Sequence, residues 1–231
     1  MDPEEYAKKK RQVYSDEIPS LLLKYIKSSR WHNLLDLGCG EGILLQALDS
    51  MGFLKGKNIK AVDISETRLN KMIQGNSNIQ CYIDSACELN TIETKSIDFL
   101  ISTQVIEHVP DDEAMIQQIR RIMRPQGFVY LSTIFKKPWA WHFYRCQGKW
   151  VLDPTHLREY EKESDLIGLL EKYRFQILEN YKSLVLHPLV DPLLRIMKID
   201  DNRLKHSFMK FVRSLKRPVP GYYNWEIVCQ S

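Results

Sequence analysis

Apolar and polar positions alternate along this chain in two periods, and the changes between them outline its elements. Ile18, Leu22, Tyr25 and Ile26 recur at helical spacing. They predict a charged, then amphipathic, helix over 3–26 that Pro19 breaks in two. Leu34, Leu35 and Leu37 form a short apolar run of the kind a buried parallel strand shows, with Asp36 near its end. A helix is expected over 43–51, stopped by Gly52. Residues 58–62 read as a second strand that ends in Asp63. Ser65 has the place of a helix N-cap, with Leu69, Met72 and Ile73 on the buried face behind it. A third strand over 79–83 runs into Asp84, Ser85 and Ala86. A fourth over 97–102 runs into Thr103, Gln104, Val105, Ile106, Glu107 and His108. Pro110 and the acids after it open a helix to Met123, and Pro125-Gln126-Gly127 turns into a fifth strand over 128–133. Strands alternating with helices predict a parallel, doubly wound α/β sheet. Three of the strands end in a polar or acidic residue on the edge where such sheets bind ligands.

The second half is less regular. Residues 134–160 are dense in aromatics (Phe135, Trp139, Trp141, Phe143, Tyr144, Trp150) and contain His142 and His156. A stretch of this length without clear period predicts a binding loop or lid. A helix over 161–173, a sixth strand over 175–178 and a last alternating strand over 223–229 follow. Between those strands, 184–217 is apolar first and basic afterwards, with eight Lys or Arg against two Asp from Arg195 to Arg217. Such a segment can lie on an anionic membrane surface. The favoured reading is a cap packed on the domain with its charges solvated.

With 231 residues and no internal repeat, the chain reads as a single domain over 1–231. Its parts are an N-terminal helical segment (1–30), the aromatic loop (134–160) and the cap insertion (184–217). The net charge of +4 is too small to argue for nucleic acid. Five cysteines with no C-x-x-C pair, no signal-peptide pattern and no membrane-length apolar run make a cytoplasmic protein the expectation.

Asp36-Leu37-Gly38-Cys39-Gly40-Glu41-Gly42 carries the chemistry. Glycine at alternate positions lets the chain turn sharply and lets a ligand lie against the main chain. The dinucleotide fingerprint G-x-G-x-x-G would need glycine at 43, where Ile43 stands, so the spacing is D-x-G-x-G-x-G. Asp63, 21 positions past Gly42, has the spacing at which an acid receives ribose hydroxyls in nucleotide folds.

With these elements in place the sequence resembles the class I S-adenosylmethionine-dependent methyltransferases over roughly residues 30–180. The glycine turn matches the family's first motif, and Asp63 falls on its ribose-gripping acid. Arg124-Pro125-Gln126-Gly127 matches its K/R-P-G-G turn, with Gln126 replacing one glycine. The resemblance implies a Rossmann-like doubly wound seven-stranded sheet, mostly parallel with an antiparallel last strand, plus the helical N-terminal segment and cap insertions. It also implies S-adenosyl-L-methionine as cofactor, held by Asp36, Gly38, Cys39, Gly40, Gly42, Asp63, Ile64, Asp84, Ser85, Ala86, Thr103 and Gln104. Relatives usually place Gly-Asp-Ala at the third strand. Here Asp84-Ser85-Ala86 displaces the acid by one position, so either Asp84 or Ser85 with the Ala86 amide meets the adenine.

Val105-Ile106-Glu107-His108-Val109-Pro110 and His156-Leu157-Arg158-Glu159-Tyr160 resemble the ubiquinone-biosynthesis type of O-methyltransferase. His108 stands just past the fourth strand, where the cofactor's methyl should point, and its ordinary pKa suits a general base. The other reading is a histidine that holds the loop by hydrogen bonds. Glu107 would orient that imidazole or support a metal, and His156 would approach from the aromatic loop. Some relatives, and the small-RNA 3′-end methyltransferases, hold a divalent metal through Glu-x-x-Glu-His and a later His. Gln104 replaces the first of those acids here, so no metal is expected. The implied function is methyl transfer to a hydroxyl of a small-molecule, lipid-precursor or glycan acceptor. An RNA methyltransferase and a non-catalytic methyltransferase-like scaffold are the alternatives. Peripheral membrane contact through 184–217 stays open, and the sequence does not set the oligomeric state.

Overall fold

A computed structural model describes residues 18–73, 79–142, 144–146, 148–188 and 215–231. The helix expected before Pro19 lies outside them. Pro19 itself opens α1 (Ser20–Ser28), with its φ of −52° and its carbonyl accepting from the Leu23 amide at 2.9 Å. Proline's fixed φ and missing N–H suit a helix start, where that N–H would have no partner.

Five parallel strands carry the first half: β1 (Asn33–Leu37), β2 (Asn58–Asp63), β3 (Ile79–Ile83), β4 (Ile97–Thr103) and β5 (Met123–Lys136). The sheet has seven strands in the order β3-β2-β1-β4-β5-β9-β8, where β8 is Gln176–Pro188 and β9 is Lys216–Gln230. β9 runs antiparallel between β5 and β8, as the antiparallel last strand was expected to do. The chain reverses direction of growth between β1 and β4. That switch point opens a crevice at the carboxyl edge, next to the glycine turn.

Helices cover both faces. Leu22 and Ile26 of α1 with Leu45 and Leu48 of α2 (Ile43–Ser50) bury against Leu34, Phe99, Ile101 and Tyr130. α3 (Glu66–Ile73) adds Met72 on that side. On the other face α4 (Asp112–Ile122) contributes Met115, Ile116 and Ile119, and α5 (Glu163–Lys172) contributes Leu166 and Leu170. Each such side chain, fully removed from water, contributes about 1.5–3 kcal/mol. Burial on both faces explains why β1 and β4 read as continuous apolar runs. Ser65, the N-cap the sequence suggested, has its Oγ facing the Arg68 amide at 3.4 Å, and α4 is capped by Asp111, which accepts from the Ala114 amide at 2.9 Å.

Three expectations need correction. Ile73, expected on the buried face of α3, is 50% exposed at the helix end, and the stripe stops at Met72. The stretch 134–160 is not one aperiodic loop. β5 continues to Lys136, and a small hairpin of β6 (Tyr144–Cys146) and β7 (Lys149–Val151) follows. Phe135 belongs to the core, edge-on to Trp225 at 5.6 Å between ring centroids, and is no ligand-facing aromatic. The sixth and last strands are also far longer than their apolar runs. β8 and β9 pair from Gln176↔Gln230 out to Pro188↔Lys216, so 184–188 and 216–217 of the expected cap form a strand ribbon. Residues 189–214 of that cap lie outside the described ones. Strand pairing across that distance leaves no local periodic signal, which is why the ribbon was missed.

Candidate active site

The cofactor side begins where β1 ends. The Gly38 and Cys39 amides both donate to the Val62 carbonyl, at 2.7 and 3.0 Å, and this folds the turn back over β2. Gly38, Gly40 and Gly42 have φ of +76°, +58° and +73°, which side-chain-bearing residues rarely adopt. Space forbids substitution as well. A Cβ on Gly38 would lie 2.2 Å from Val105 Cγ2, and one on Gly42 would lie 2.6 Å from Met72 Cγ. Cys39 sits half-buried in the turn, where burial first and the neighbouring carboxylates second push its thiol up, so it packs rather than reacts.

Asp63 is 5% exposed at the end of β2. One oxygen accepts from the Gly40 amide at 2.8 Å and the other from the Ser65 amide at 2.9 Å. Each oxygen keeps a lone pair for an incoming hydroxyl. Asp36, 1% exposed beneath the turn, has no hydrogen-bond partner for Oδ1 among the described residues. Burial, and after it the charge of Asp63, push its carboxyl up to about 7.

Ile64 is 56% exposed beside Asp63, and Ile83, paired with Asp63 across β2 and β3, is 55% exposed. Two bare isoleucines at a ligand edge form an apolar wall that would flank a planar ring. Ile83 was not singled out from the sequence, because an isoleucine closing a strand looks like core. Asp84 is committed to its own loop: Oδ1 accepts from the Ser85 amide and Oδ2 from the Thr91 amide, each at 2.7 Å. In the same loop Ser85 Oγ accepts from the Cys87 amide at 3.2 Å, and Asp84, Ser85 and Ala86 are all half-buried.

The acceptor side is built from two segments far apart in sequence. After Thr103 the chain bends at Gln104, which has φ of +55° and donates its amide to the Ser132 carbonyl at 2.9 Å. The Gln104 side chain turns to β9 and donates to Asn224 Oδ1 at 3.0 Å. The bend sets Val105 against Gly38 and brings Glu107 and His108 over the end of β5. The 155–160 segment is stitched to it: the Leu157 and Arg158 amides donate to the Glu107 carbonyl, and the Arg158 guanidinium donates to the carbonyls of Ile106, Val109 and Pro110.

Glu107, His108 and His156 thereby meet, with one ligand atom of each within 4.8 Å of the others. Glu107 Oε2 accepts from Thr133 Oγ1 at 2.9 Å, while Oε1 has no partner among the described residues. His108 Nδ1 faces the Thr155 carbonyl at 3.2 Å and its hydroxyl oxygen at 3.3 Å. That hydroxyl already donates to Asp153, so both are acceptors and Nδ1 carries the proton. His156 Nδ1 lies 2.7 Å from Glu159 Oε1, again an acceptor. Glu107 Oε1 and the two Nε2 atoms are therefore all bare acceptors. Burial pushes Glu107 up to about 7, against the opposing pull of His156 and Thr133. Desolvation of the ring, then the facing His156, lowers His108, although part of that residue reaches solvent.

A buried acceptor left bare costs roughly 1–3 kcal/mol, as Glu107 Oε1 does here, and with two imidazole acceptors beside it the gap suits a guest that is electropositive. A hydroxyl proton fits, and so does a divalent cation, for which one carboxylate and two imidazoles are a fitting donor set. The expectation of no metal rested on Gln104, and the three donors converge without it. Thr133, Thr155 and Glu159, which aim them, were not found from the sequence. Only Glu159 left a trace, three positions after His156.

A family profile described as "Methyltransferase domain" matches residues 6–180. The chain belongs to that methyltransferase family. A ubiquinone biosynthesis O-methyltransferase from Neisseria meningitidis is 31% identical over 127 residues, 53% of each chain. The methyltransferase-family chain spans about half the length of the curated relatives it matches. A solved SAM-dependent methyltransferase from Methanosarcina mazei superposes with a TM-score of 0.62 at 15% identity, over 93% of this chain and 98% of that one. Haemonchus contortus phosphoethanolamine N-methyltransferase 2, solved with phosphomonomethylethanolamine and S-adenosylhomocysteine, gives 0.59 at 17%, over 91% and 51%. At such identities the structures attest the fold alone.

Proposed function

We propose that this methyltransferase domain binds S-adenosylmethionine and transfers its methyl group to a hydroxyl of a small-molecule, lipid-precursor or glycan acceptor. The observation that carries the reading is one juxtaposition. A glycine turn with a ribose-ready Asp63 and a cluster of three bare acceptors share the same sheet edge, joined where Val105 packs on Gly38. The curated relatives, ubiquinone biosynthesis O-methyltransferases, support oxygen as the methylated atom.

The cofactor, when bound, would supply an electrophilic sulfonium methyl with a neutral thioether as its leaving group. Asp63 would receive ribose hydroxyls, Ile64 and Ile83 would flank the adenine, and Ser85 with the Ala86 amide would reach its edge. On the acceptor side the chain orients the oxygen and removes its proton. Orientation contributes on the order of 7–11 kcal/mol in favourable cases, and a positioned base roughly 10²–10⁴-fold more. His108, kept neutral by its lowered pKa, and His156 both present Nε2 to that proton. Where a divalent cation occupies the gap, Glu107, His108 and His156 would hold it, and it would lower the acceptor hydroxyl's pKa.

Among the described residues no helix is long and apolar enough to cross a membrane. Leu184, Leu186 and Leu215 are about half exposed on the ribbon that leads to the basic segment, which supports its role in covering the acceptor or touching a lipid surface. The test is transfer of labelled methyl from S-adenosylmethionine into separated lipid, glycan, small-molecule and RNA fractions of a host extract. Label in RNA alone overturns the acceptor class. Absence of both transfer and thermal stabilisation by the cofactor overturns the reading.

A further inference from the structure

The three acceptors of the cluster differ in what stands behind them. Glu107 is backed by the Thr133 hydroxyl and His108 by the oxygens of Thr155, all neutral groups. His156 is backed by a buried charge. Glu159 has no side-chain exposure, and its Oε1 accepts from both His156 Nδ1 and the Leu152 amide, each at 2.7 Å. Its other oxygen lies 3.3 Å from Lys136 Nζ, which is 8% exposed and donates to the Trp150 carbonyl at 3.0 Å. Glu161 stands 3.7 Å from the same ammonium. Lys136 closes β5, Trp150 lies in β7, and Glu159 follows His156, so three elements converge to place one carboxylate behind one imidazole.

A carboxylate buried like this is costly unless its charge is matched and its oxygens are bonded. Lys136 supplies the match, and the Leu152 amide and the imidazole both bond Oε1. Oε2 has no hydrogen-bond partner among the described residues and only the facing ammonium at 3.3 Å. What the arrangement yields is direction. We propose that Glu159, backed by Lys136, is a positioning residue that holds His156 with its proton on Nδ1 and its bare Nε2 turned into the gap between Glu107 and His108. This deepens the methyl-transfer reading and rests on it for its purpose. A bare Nε2 is what either chemistry of the site needs, since a protonated one can neither take a hydroxyl proton nor bind a cation. Without Glu159 the imidazole loses the bond that fixes its tautomer and ring angle. A proton on Nε2 would then point at the other two acceptors and be captured by Glu107.

The experiment is nitrogen-15 NMR of the histidine side chains in the full-length protein at neutral pH, without acceptor, assigned through His156→Gln. In the wild type the His156 signals should show a proton on Nδ1 and none on Nε2. Glu159→Leu should move the proton to Nε2 and lower methyl transfer at least about 100-fold. Its affinity for S-adenosylmethionine should stay within twofold. Glu159→Gln should keep the Nδ1 proton, because the Leu152 amide holds the new side-chain oxygen on the His156 side, and it should lose less activity. Should Glu159→Leu not fold, Glu159→Leu with Lys136→Met removes the unmatched ammonium as well and carries the tautomer test, with the proton again expected on Nε2. A wild-type His156 protonated on Nε2, or a Glu159→Leu protein with unchanged tautomer and unchanged transfer, overturns the assignment. The expected tautomer in a wild type that transfers no methyl would overturn the methyl-transfer reading and leave the Glu159 assignment standing.

Discussion

The two halves of the site are made differently. The cofactor half is local: Gly40 and Asp63, 23 positions apart, are bonded across neighbouring parallel strands, and every element between them is short and regular. The acceptor half joins His108 to Thr155 across 47 positions, through a bend at Gln104 and the clamp of Arg158. In the first half main-chain amides and glycine sterics do the positioning. In the second, buried side chains position one another. Substitutions on the cofactor side should therefore act through shape and affinity, and those on the acceptor side through turnover.

The largest effect should come from Gly38→Val. Its Cβ has 2.2 Å to Val105 Cγ2, and φ of +76° is hostile to a branched side chain. Overpacking and strain cost about 1–3 kcal/mol each. Because Val105 opens the acceptor loop, this is the one cofactor-side change that should damage both halves. Cofactor titration should show no binding, and transfer should be abolished. Retained binding would break the claim that the two halves meet at that contact.

Next in size is a pair that separates the halves. His108→Ala should cut turnover roughly 10²–10⁴-fold, with cofactor affinity unchanged within about twofold. Asp63→Ala should do the reverse, losing charge-assisted bonds worth on the order of 1.5–3 kcal/mol each. Asp63→Asn should fall between, since its remaining oxygen can serve either the Gly40 or the Ser65 amide but not both. Calorimetric titration and single-turnover rates on the same preparations check both. If the His108 variant binds cofactor poorly, or the Asp63 variant binds normally and turns over slowly, the division is wrong. Chelator treatment sharpens the acceptor half: loss of activity restored by added divalent ion assigns the gap to a cation, and unchanged activity assigns it to the proton.

How much of this was legible follows from the same contrast. The glycine turn, Asp63 and the order of the first five strands could be read because each signal sits within one element or one turn. β8 and β9 could be read only at their apolar cores. Their outer halves, from Leu184↔Tyr223 outward, bury Val219 and Tyr222 in a small separate cluster with Ile134 and Ala140 and leave Leu184 and Leu186 about half exposed. No single stretch of sequence shows those partners together. Glu107, His108 and His156 were singled out from the sequence, and the structure brings them together, but their directions could not be read there. Those depend on Thr133 in β5, Thr155 in a turn and Glu159 held by Lys136, contacts that no spacing along the chain encodes. The direction of the Gln104 side chain was hidden for the same reason, since its partner Asn224 lies 120 positions away.

The last expected effect is a slope. Asp36 is buried under the turn with an unpartnered oxygen, faces the charge of Asp63 and the thiol of Cys39, and is held up to about 7 from an ordinary value of 3.8. Between those two pH values the folded cofactor-free protein keeps a proton that the unfolded chain has released. Stability therefore falls as pH rises through the window, by up to about 1.4 kcal/mol per pH unit from this group, and levels off above pH 7. Asp36→Asn removes that dependence, so the variant should gain on the wild type steadily from pH 4 to 7 and hold its advantage above. Glu107, raised by burial to about 7 as well, slopes the same way in both proteins, and the difference isolates Asp36. Urea midpoints at each pH measure it. Parallel curves for the two proteins would mean that Asp36 is ionised or partnered in solution, and that the turn rests on a charge. A diverging pair would show a neutral acid beneath the glycines, with the cofactor half relying on main-chain geometry and the acceptor half on buried charge.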